Sequence, residues 1–343
     1  MKNLFKKVVG LGLAAVLAVG SVGCSSESAG GSSEGANIKV GIVADAAGFG
    51  SHSFNDIALD GTKKAVEEFG LELLPIEVKE ESDKANTLRT LVGQGVNLFI
   101  IPGMGMVDAV KEVSQEYPDV KFAVLDTGIE GMDNITSAQY REHEAAFLLG
   151  ALGALLTETN KIGFIGGIRG EIQDRFEYGY RAGAQYINPE IEVISSYTGT
   201  FSDVGKGKEI AAMMYKQGID YIAPTAGACN LGVFQSASEA GMKCFGAADG
   251  QFHNMPENIL ASQVKYIDNV AYTVIEELTK GNFAGGQVKE YGIKEDGVGL
   301  LYTPNEELLK AIPEDVLSKI KEIEEKIKNE EITIPRNEQE FNK

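Results

Sequence analysis

The chain has 343 residues and a formal net charge of −19, from 31 Lys and Arg against 50 Asp and Glu. That balance argues against nucleic acid as a partner, because such binding rests on Lys and Arg neutralising phosphates. Three cysteines make no disulfide framework, and about 300 residues after the leader leave room for two domains.

The first residues read as an export signal, residues 1–23. Lys2, Lys6 and Lys7 precede an uncharged apolar run over 8–22, too short for a membrane span of about 20 residues and of signal-peptide type. The run ends at Ser21-Val22-Gly23-Cys24, a lipobox-like site that makes Cys24 the expected lipidated N-terminus. Without the three leader lysines the mature chain stands near −22, with 28 basic residues against 50 acidic. Residues 25–35 are almost all Ser, Gly, Ala and Glu; with Cys24 and the two residues that follow, they make a flexible tether over 24–37. Cys229 and Cys244 either form one disulfide or stay as free buried thiols.

From residue 38 onward short apolar runs alternate with helical spacing. Strands are predicted at 38–44, 71–78, 98–101, 122–125 and 134–140, and helices at 54–69, 84–94, 107–116 and 144–156. The pattern restarts at 161, with strands at 162–165, 191–197, 221–223 and 244–247 and helices at 174–186, 204–216 and 232–240. Continuous apolar strands separated by helices indicate parallel sheets covered on both faces. Two such arrays indicate an α/β fold of two doubly wound parallel-sheet lobes joined by a hinge, rather than one eight-unit barrel. A strand at 259–264 and a helix at 268–280 are expected to return to the first lobe. Residues 304–330 read as helix with a solvated, mixed-charge face.

Ligands of open parallel sheets bind at the carboxyl ends of strands. Three strands here end in aspartate: Asp45, Asp126 and Asp249. Each could be a plain helix cap, but three at equivalent positions suggest a crevice offering carboxylate acceptors. The loop from Gly48 to Asn55 adds two aromatics, Phe49 and Phe54, that can stack on a planar ring. Its Asn55 is both donor and acceptor. Enzyme signatures are poor. His52, His143 and His253 lie far apart, with no metal-ligand spacing. The Gly-x-Ser-x-Gly run at 31–35 falls in the Ser- and Gly-rich tether and not on a strand-to-helix turn, so it is no nucleophile elbow. The glycines from Gly199 to Gly207 do not match a phosphate loop, since Gly207 stands where Ser or Thr should hold magnesium. Nothing calls for a cofactor or a metal. An Asp-lined cleft also repels phosphate, which favours an uncharged ligand.

Several runs carry a resemblance. These are Ser53-Phe54-Asn55, Tyr117-Pro118-Asp119-Val120-Lys121-Phe122 leading to Asp126, and Ile162-Gly163-Phe164-Ile165-Gly166-Gly167. Arg175-Phe176-Glu177-Tyr178-Gly179, Gly199-Thr200-Phe201-Ser202-Asp203, Ala226-Gly227 and Ser262-Gln263-Val264-Lys265 follow. In this order and spacing, over about 38–335, the chain resembles the BMP or PnrA-like lipoproteins, binding proteins of ABC importers with a type I periplasmic-binding fold. The resemblance implies a non-enzymatic protein, lipid-anchored on the extracytoplasmic face, that serves an ABC permease and ATPase. It implies a first lobe of 38–157 plus 252–290 and a second of 158–251 plus 291–335. Its implied ligand is a purine nucleoside, with a riboflavin- or sugar-binding protein, or a ligand-sensing surface lipoprotein, as the alternatives. Carried over by motif, Phe54 stacks on the base and Asn55 and Asp126 bond its edge. Asp249 and Lys265 hold the ribose hydroxyls, and Asp45 supports the base side. The family often has Gly-Gly-Thr-Gly where this chain has Gly227-Ala228-Cys229-Asn230, and often an aromatic near Ala223.

Overall fold

Each described strand of the first array is apolar where it must be buried on both faces. The computed structural model describes residues 38–45, 48–50 and 54–343; the signal, Cys24, the tether, residues 46–47 and 51–53 and the side chain of Asp249 lie outside the described residues. The strands are β1 (Lys39–Ala44), β2 (Glu72–Glu77), β3 (Leu98–Pro102), β4 (Lys121–Leu125), β5 (Ile135–Tyr140), β6 (Lys161–Gly166), β7 (Glu192–Tyr197), β8 (Tyr221–Thr225), β9 (Cys244–Gly246), β10 (Ile259–Lys265), β11 (Gln287–Tyr291) and β12 (Val298–Tyr302). The helices are α1 (Phe54–Phe69), α2 (Lys84–Gly93), α3 (Val107–Glu116), α4 (Glu142–Leu156), α5 (Glu171–Ile187), α6 (Val204–Lys216), α7 (Cys229–Ala240), α8 (Ile267–Thr279), α9 (Glu306–Leu309), α10 (Glu314–Lys328) and α11 (Glu338–Phe341).

The first lobe is built on a six-stranded parallel sheet of order β11-β5-β4-β3-β1-β2. Val40, Ile42, Leu98, Ile100 and Leu125 are fully buried in it, and burying an aliphatic side chain is worth about 1.5–3 kcal/mol. β2 lies at the edge, where Pro75 opposite Ile42 can lack a ladder donor. The second lobe carries β7-β6-β8, all parallel, and β9-β10-β12, in which only β12 runs antiparallel.

Two elements differ from the sequence expectation. The strand at 259–265 pairs with β9 and β12, so it lies in a sheet of the second lobe and not in that of the first. The helix α4 packs on α5, α10, β10 and β12, so it too belongs to the second lobe. Neither choice was legible, because an apolar strand or an all-round apolar helix has no face that names its neighbour. The chain therefore crosses between lobes at Arg141, at Tyr266 and over 292–297. The crossings run side by side: Arg141 N donates to Tyr291 O (3.0 Å) and Tyr266 N to Gly297 O (2.9 Å). Strands β11 and β12 were also not predicted. Cys229 and Cys244 are free buried thiols.

The α4–α5 contact fixes where the first turn of α4 sits. A Cβ on Gly150 would lie 1.9 Å from Tyr180 O, and one on Gly183 1.9 Å from Phe147 O, so the two backbones touch where no side chain fits. Gly150→Ala is expected to force the helices apart and to cost about 1–3 kcal/mol, the range for overpacking a core. Gly93→Ala, which meets nothing within 4 Å, is expected to be neutral or stabilising by up to about 1 kcal/mol. Urea unfolding of the two variants checks both; equal stability would contradict the packing argument.

Candidate ligand-binding cleft

The strands β4 and β10 come from different sheets, and the side chains at their carboxyl ends meet. Lys265 Nζ lies 2.6 Å from Asp126 Oδ1 and 2.9 Å from Glu142 Oε1. Glu142 opens α4, and its other oxygen lies 3.2 Å from Arg175 Nε on α5. Lys265 also stands 5.3 Å from the centre of the Tyr140 ring and 5.9 Å from that of Phe176. The Asp126 side chain is placed by an uncommon backbone. Its φ is +81°, a strain of about 1–3 kcal/mol that persists only where the surroundings fix it; here its N–H donates to Ala138 O at 2.8 Å.

Around this group is a cavity of about 450 Å³, lined by Phe54, Phe176 and Phe201 among others. That volume suits a small-molecule ligand. The Phe201 ring rests on Gly167, where a Cβ would lie 2.1 Å from it. Polar groups complete the wall. Asn230 Oδ1 accepts from Ala226 N (2.7 Å) and Gln251 Oε1 from Ala247 N (2.8 Å). Gln263 Oε1 is buried with no partner among the described residues. A buried acceptor left unpaired costs about 1–3 kcal/mol, and one in a cavity wall is available to a ligand N–H or O–H.

Three of the six residues picked from the sequence line this cavity: Phe54, Asp126 and Lys265. Asp126 and Lys265 bond each other here, although the resemblance gave them separate parts of the ligand. Asn55 is buried beside the cavity, and its amide donates to Gly48 O at 2.9 Å; it is not among the described lining residues. Asp45 likewise lies against the turn at Gly105, whose Cβ position is 2.2 Å from Asp45 Oδ2. Asp249 opens a 3-10 turn, and its side chain lies outside the described residues.

Glu142, Phe176, Phe201 and Gln263 were missed. Gln263 could have been found, because residues 263 and 265 share one face of a strand. Phe176 and Phe201 were inside quoted motifs. Glu142 lies two residues before the expected helix start at residue 144.

Electrostatics follow from burial. Burial raises the Asp126 carboxyl above its ordinary range, Lys265 pulls it back, and the charge on Glu142 adds to the rise. Two carboxylates thus compete for one ammonium. Burial opposes charge on Lys265, but Asp126 and Glu142 outweigh it and its pKa stands raised. Near the crossings, Arg141 Nε bonds Glu144 (2.6 Å) and Arg141 Nη2 bonds Glu295 (2.5 Å). Burial, with Arg336, Arg175 and Arg141 nearby, pushes His143 down to about 3. Among the described residues no cluster of His, Cys, Asp or Glu could hold a metal ion, and no helix is long and apolar enough to cross a membrane.

The model of the ABC transporter substrate-binding protein PnrA-like family matches residues 38–338. This chain belongs to that family. It is 36% identical over 313 residues to Basic membrane protein A of Borreliella afzelii, covering 89% of this chain and 94% of the relative. It is 30% identical to the CD4+ T-cell-stimulating antigen of Listeria innocua, over 97% of this chain and 99% of that one. Among solved structures, an ABC transporter solute-binding protein of Aeropyrum pernix is 27% identical with a TM-score of 0.74, covering 89% of this chain and 95% of that chain. The two-lobe architecture is that of the periplasmic-binding proteins. As a PnrA-like protein the chain is a binding protein and not an enzyme, and it works outside the cytoplasm for an ABC importer.

The state of His143 gives this PnrA-like protein an acid sensitivity. An unfolded His takes a proton below about pH 6.5, whereas the folded His143 waits until about 3. The unfolded state therefore binds more protons in that window, and stability falls as pH drops through it, by up to about 1.4 kcal/mol per pH unit. His143→Leu is expected to flatten the fall between pH 6.5 and 5. Denaturant titrations at several pH values check this, and equal slopes in both proteins would contradict it.

Proposed function

We propose that the chain is a lipoprotein, anchored through Cys24, that binds a purine nucleoside between its lobes and delivers it to an ABC permease and ATPase. The observation that carries the reading is one cavity holding three phenylalanine rings beside a charge-paired polar floor. A planar base gains from stacking on the Phe54 ring, with Phe176 and Phe201 as further aromatic walls. Hydroxyls and ring N–H groups gain from charge-assisted bonds to Asp126 and Lys265, and Asp249 is assigned to the ribose. Asn55 ties the start of α1, which carries Phe54, to Gly48 O, and Asp45 lies against the turn at Gly105 on the base side of the cleft. Neither needs to touch the base for the reading to hold. A nucleoside carries no phosphate, which suits a floor whose carboxylates and cations already balance.

Calorimetric titration of the domain from Ser25, stripped of ligand by unfolding and refolding, tests the reading. Guanosine, inosine, adenosine, a pyrimidine nucleoside, ribose and riboflavin are the probes. One-to-one binding of the purine nucleosides is expected at about micromolar or tighter, near −8 kcal/mol. Phe54→Ala is expected to weaken it by about 1–3 kcal/mol, the worth of a base–aromatic stack. Binding of ribose or riboflavin alone, or of none of the six, would overturn the nucleoside.

A further inference from the structure

The carboxylate of Glu142 has no ligand role in the reading above, yet it is the most deeply buried charge in the cleft. Its side chain is 1% exposed, against 18% for Asp126 and 13% for Lys265. One of its oxygens lies 2.9 Å from Lys265 Nζ and the other 3.2 Å from Arg175 Nε, the latter an ion pair without hydrogen-bond geometry, so each faces a cation before any ligand arrives. Isolated charges in such a place are expensive, and breaking one partner of a buried pair leaves the other uncompensated. If a ligand donor takes the carboxylate of Asp126, Lys265 loses that partner at 2.6 Å. It still has Glu142 at 2.9 Å.

We propose that Glu142 is a positioning residue for the ligand. It shares Lys265 with Asp126, so that Asp126 can be given to a ligand donor without stranding a buried ammonium. It also balances the floor, two carboxylates against Lys265 and Arg175, so that a phosphorylated ligand finds no uncompensated cation. This rests on the purine nucleoside reading for its ligand, but its hold on Lys265 does not. Specificity against the phosphorylated analogue then comes from a residue that touches neither base nor ribose. The carboxylate is held in place from behind, because Arg175 sits on α5 and the glycine contacts of α4 with α5 allow no slack between them. The groups facing Lys265 are Asp126 after β4, Glu142 on α4, the Tyr140 ring on β5 and the Phe176 ring on α5, with Arg175 behind Glu142.

Glu142→Gln tests the idea, with Glu142→Asp beside it and thermal melts as the check on folding. Two readouts are taken. The first is titration of the Lys265 side chain by NMR in protein labelled with 13C at lysine Cε, assigned with Lys265→Arg. The second is calorimetric affinity for inosine, guanosine and their 5′-monophosphates. In Glu142→Gln the Lys265 midpoint is expected to fall, nucleoside affinity to drop tenfold or more, and the preference over the monophosphate to narrow at least tenfold. Glu142→Asp, one methylene shorter, is expected to weaken nucleoside binding several-fold, because its carboxylate cannot span Lys265 and Arg175 together. Wild-type midpoint and wild-type preference in a folded Glu142→Gln would overturn the proposal. Wild-type affinity in Glu142→Asp would do so even if Glu142→Gln failed to fold. If the wild-type protein bound none of the nucleosides while the Lys265 midpoint still fell, the nucleoside reading would fail and the hold of Glu142 on Lys265 would stand.

Discussion

One ammonium shared by two carboxylates governs the cleft. Lys265 ends a strand of the second lobe, Asp126 ends a strand of the first, and Glu142 opens the helix that follows the first crossing. The ion group therefore joins the lobes as well as forming the floor. Coulomb attraction in such a place is strong because little water screens it. The same dryness makes any unpaired member costly. On the proposed reading a ligand exchanges into this group rather than adding to it, which favours neutral molecules with several N–H and O–H groups.

The rest of the second lobe can be followed back to that constraint. Helix α4 is apolar nearly all round and buried from Glu142 to Gly153. It packs on α5 through glycines that admit no side chain at the contact. Arg175 on α5 then meets Glu142 on α4, and the distance between them is set by backbone rather than by flexible side chains. The crossings lie directly beside this turn, where Arg141 ties Glu144 to Glu295. Movement of one lobe on the other thus passes next to the charges on the cleft floor. The aromatic walls depend on small residues in a similar way, as the Phe201 ring on Gly167 illustrates.

Much of this was legible in the sequence, for physical reasons that also mark its limits. Runs such as Lys39–Ala44 and Leu98–Pro102 are apolar because both faces of a parallel strand are covered, and that pattern needs no partner to be seen. Strand β11 is a polar edge strand and gave no buried run; β12 is a short apolar run, Val298–Tyr302, whose antiparallel partner β10 local spacing does not reveal. Lobe membership of α4 and β10 depends on long-range pairing, which local spacing does not encode. Phe54, Asp126 and Lys265 could be found because strand ends and their loops face the cleft. Asn55 and Asp45 occupy the same kind of position, but their side chains turn to the loop at Gly48 and the turn at Gly105. Phe176 was hidden because an aromatic on an amphipathic helix reads as core. Glu142 was hidden because an acidic residue at a helix start reads as favourable to the dipole.

The most direct test of this account is a crystal structure of the domain from Ser25 grown with inosine. The account expects the base against the Phe54 ring, a ligand donor within hydrogen-bond distance of Asp126, and Lys265 still paired with Glu142. A ligand bound outside this cavity, or one bound inside it with the Asp126–Lys265 pair untouched and Glu142 turned away from Lys265, would contradict it.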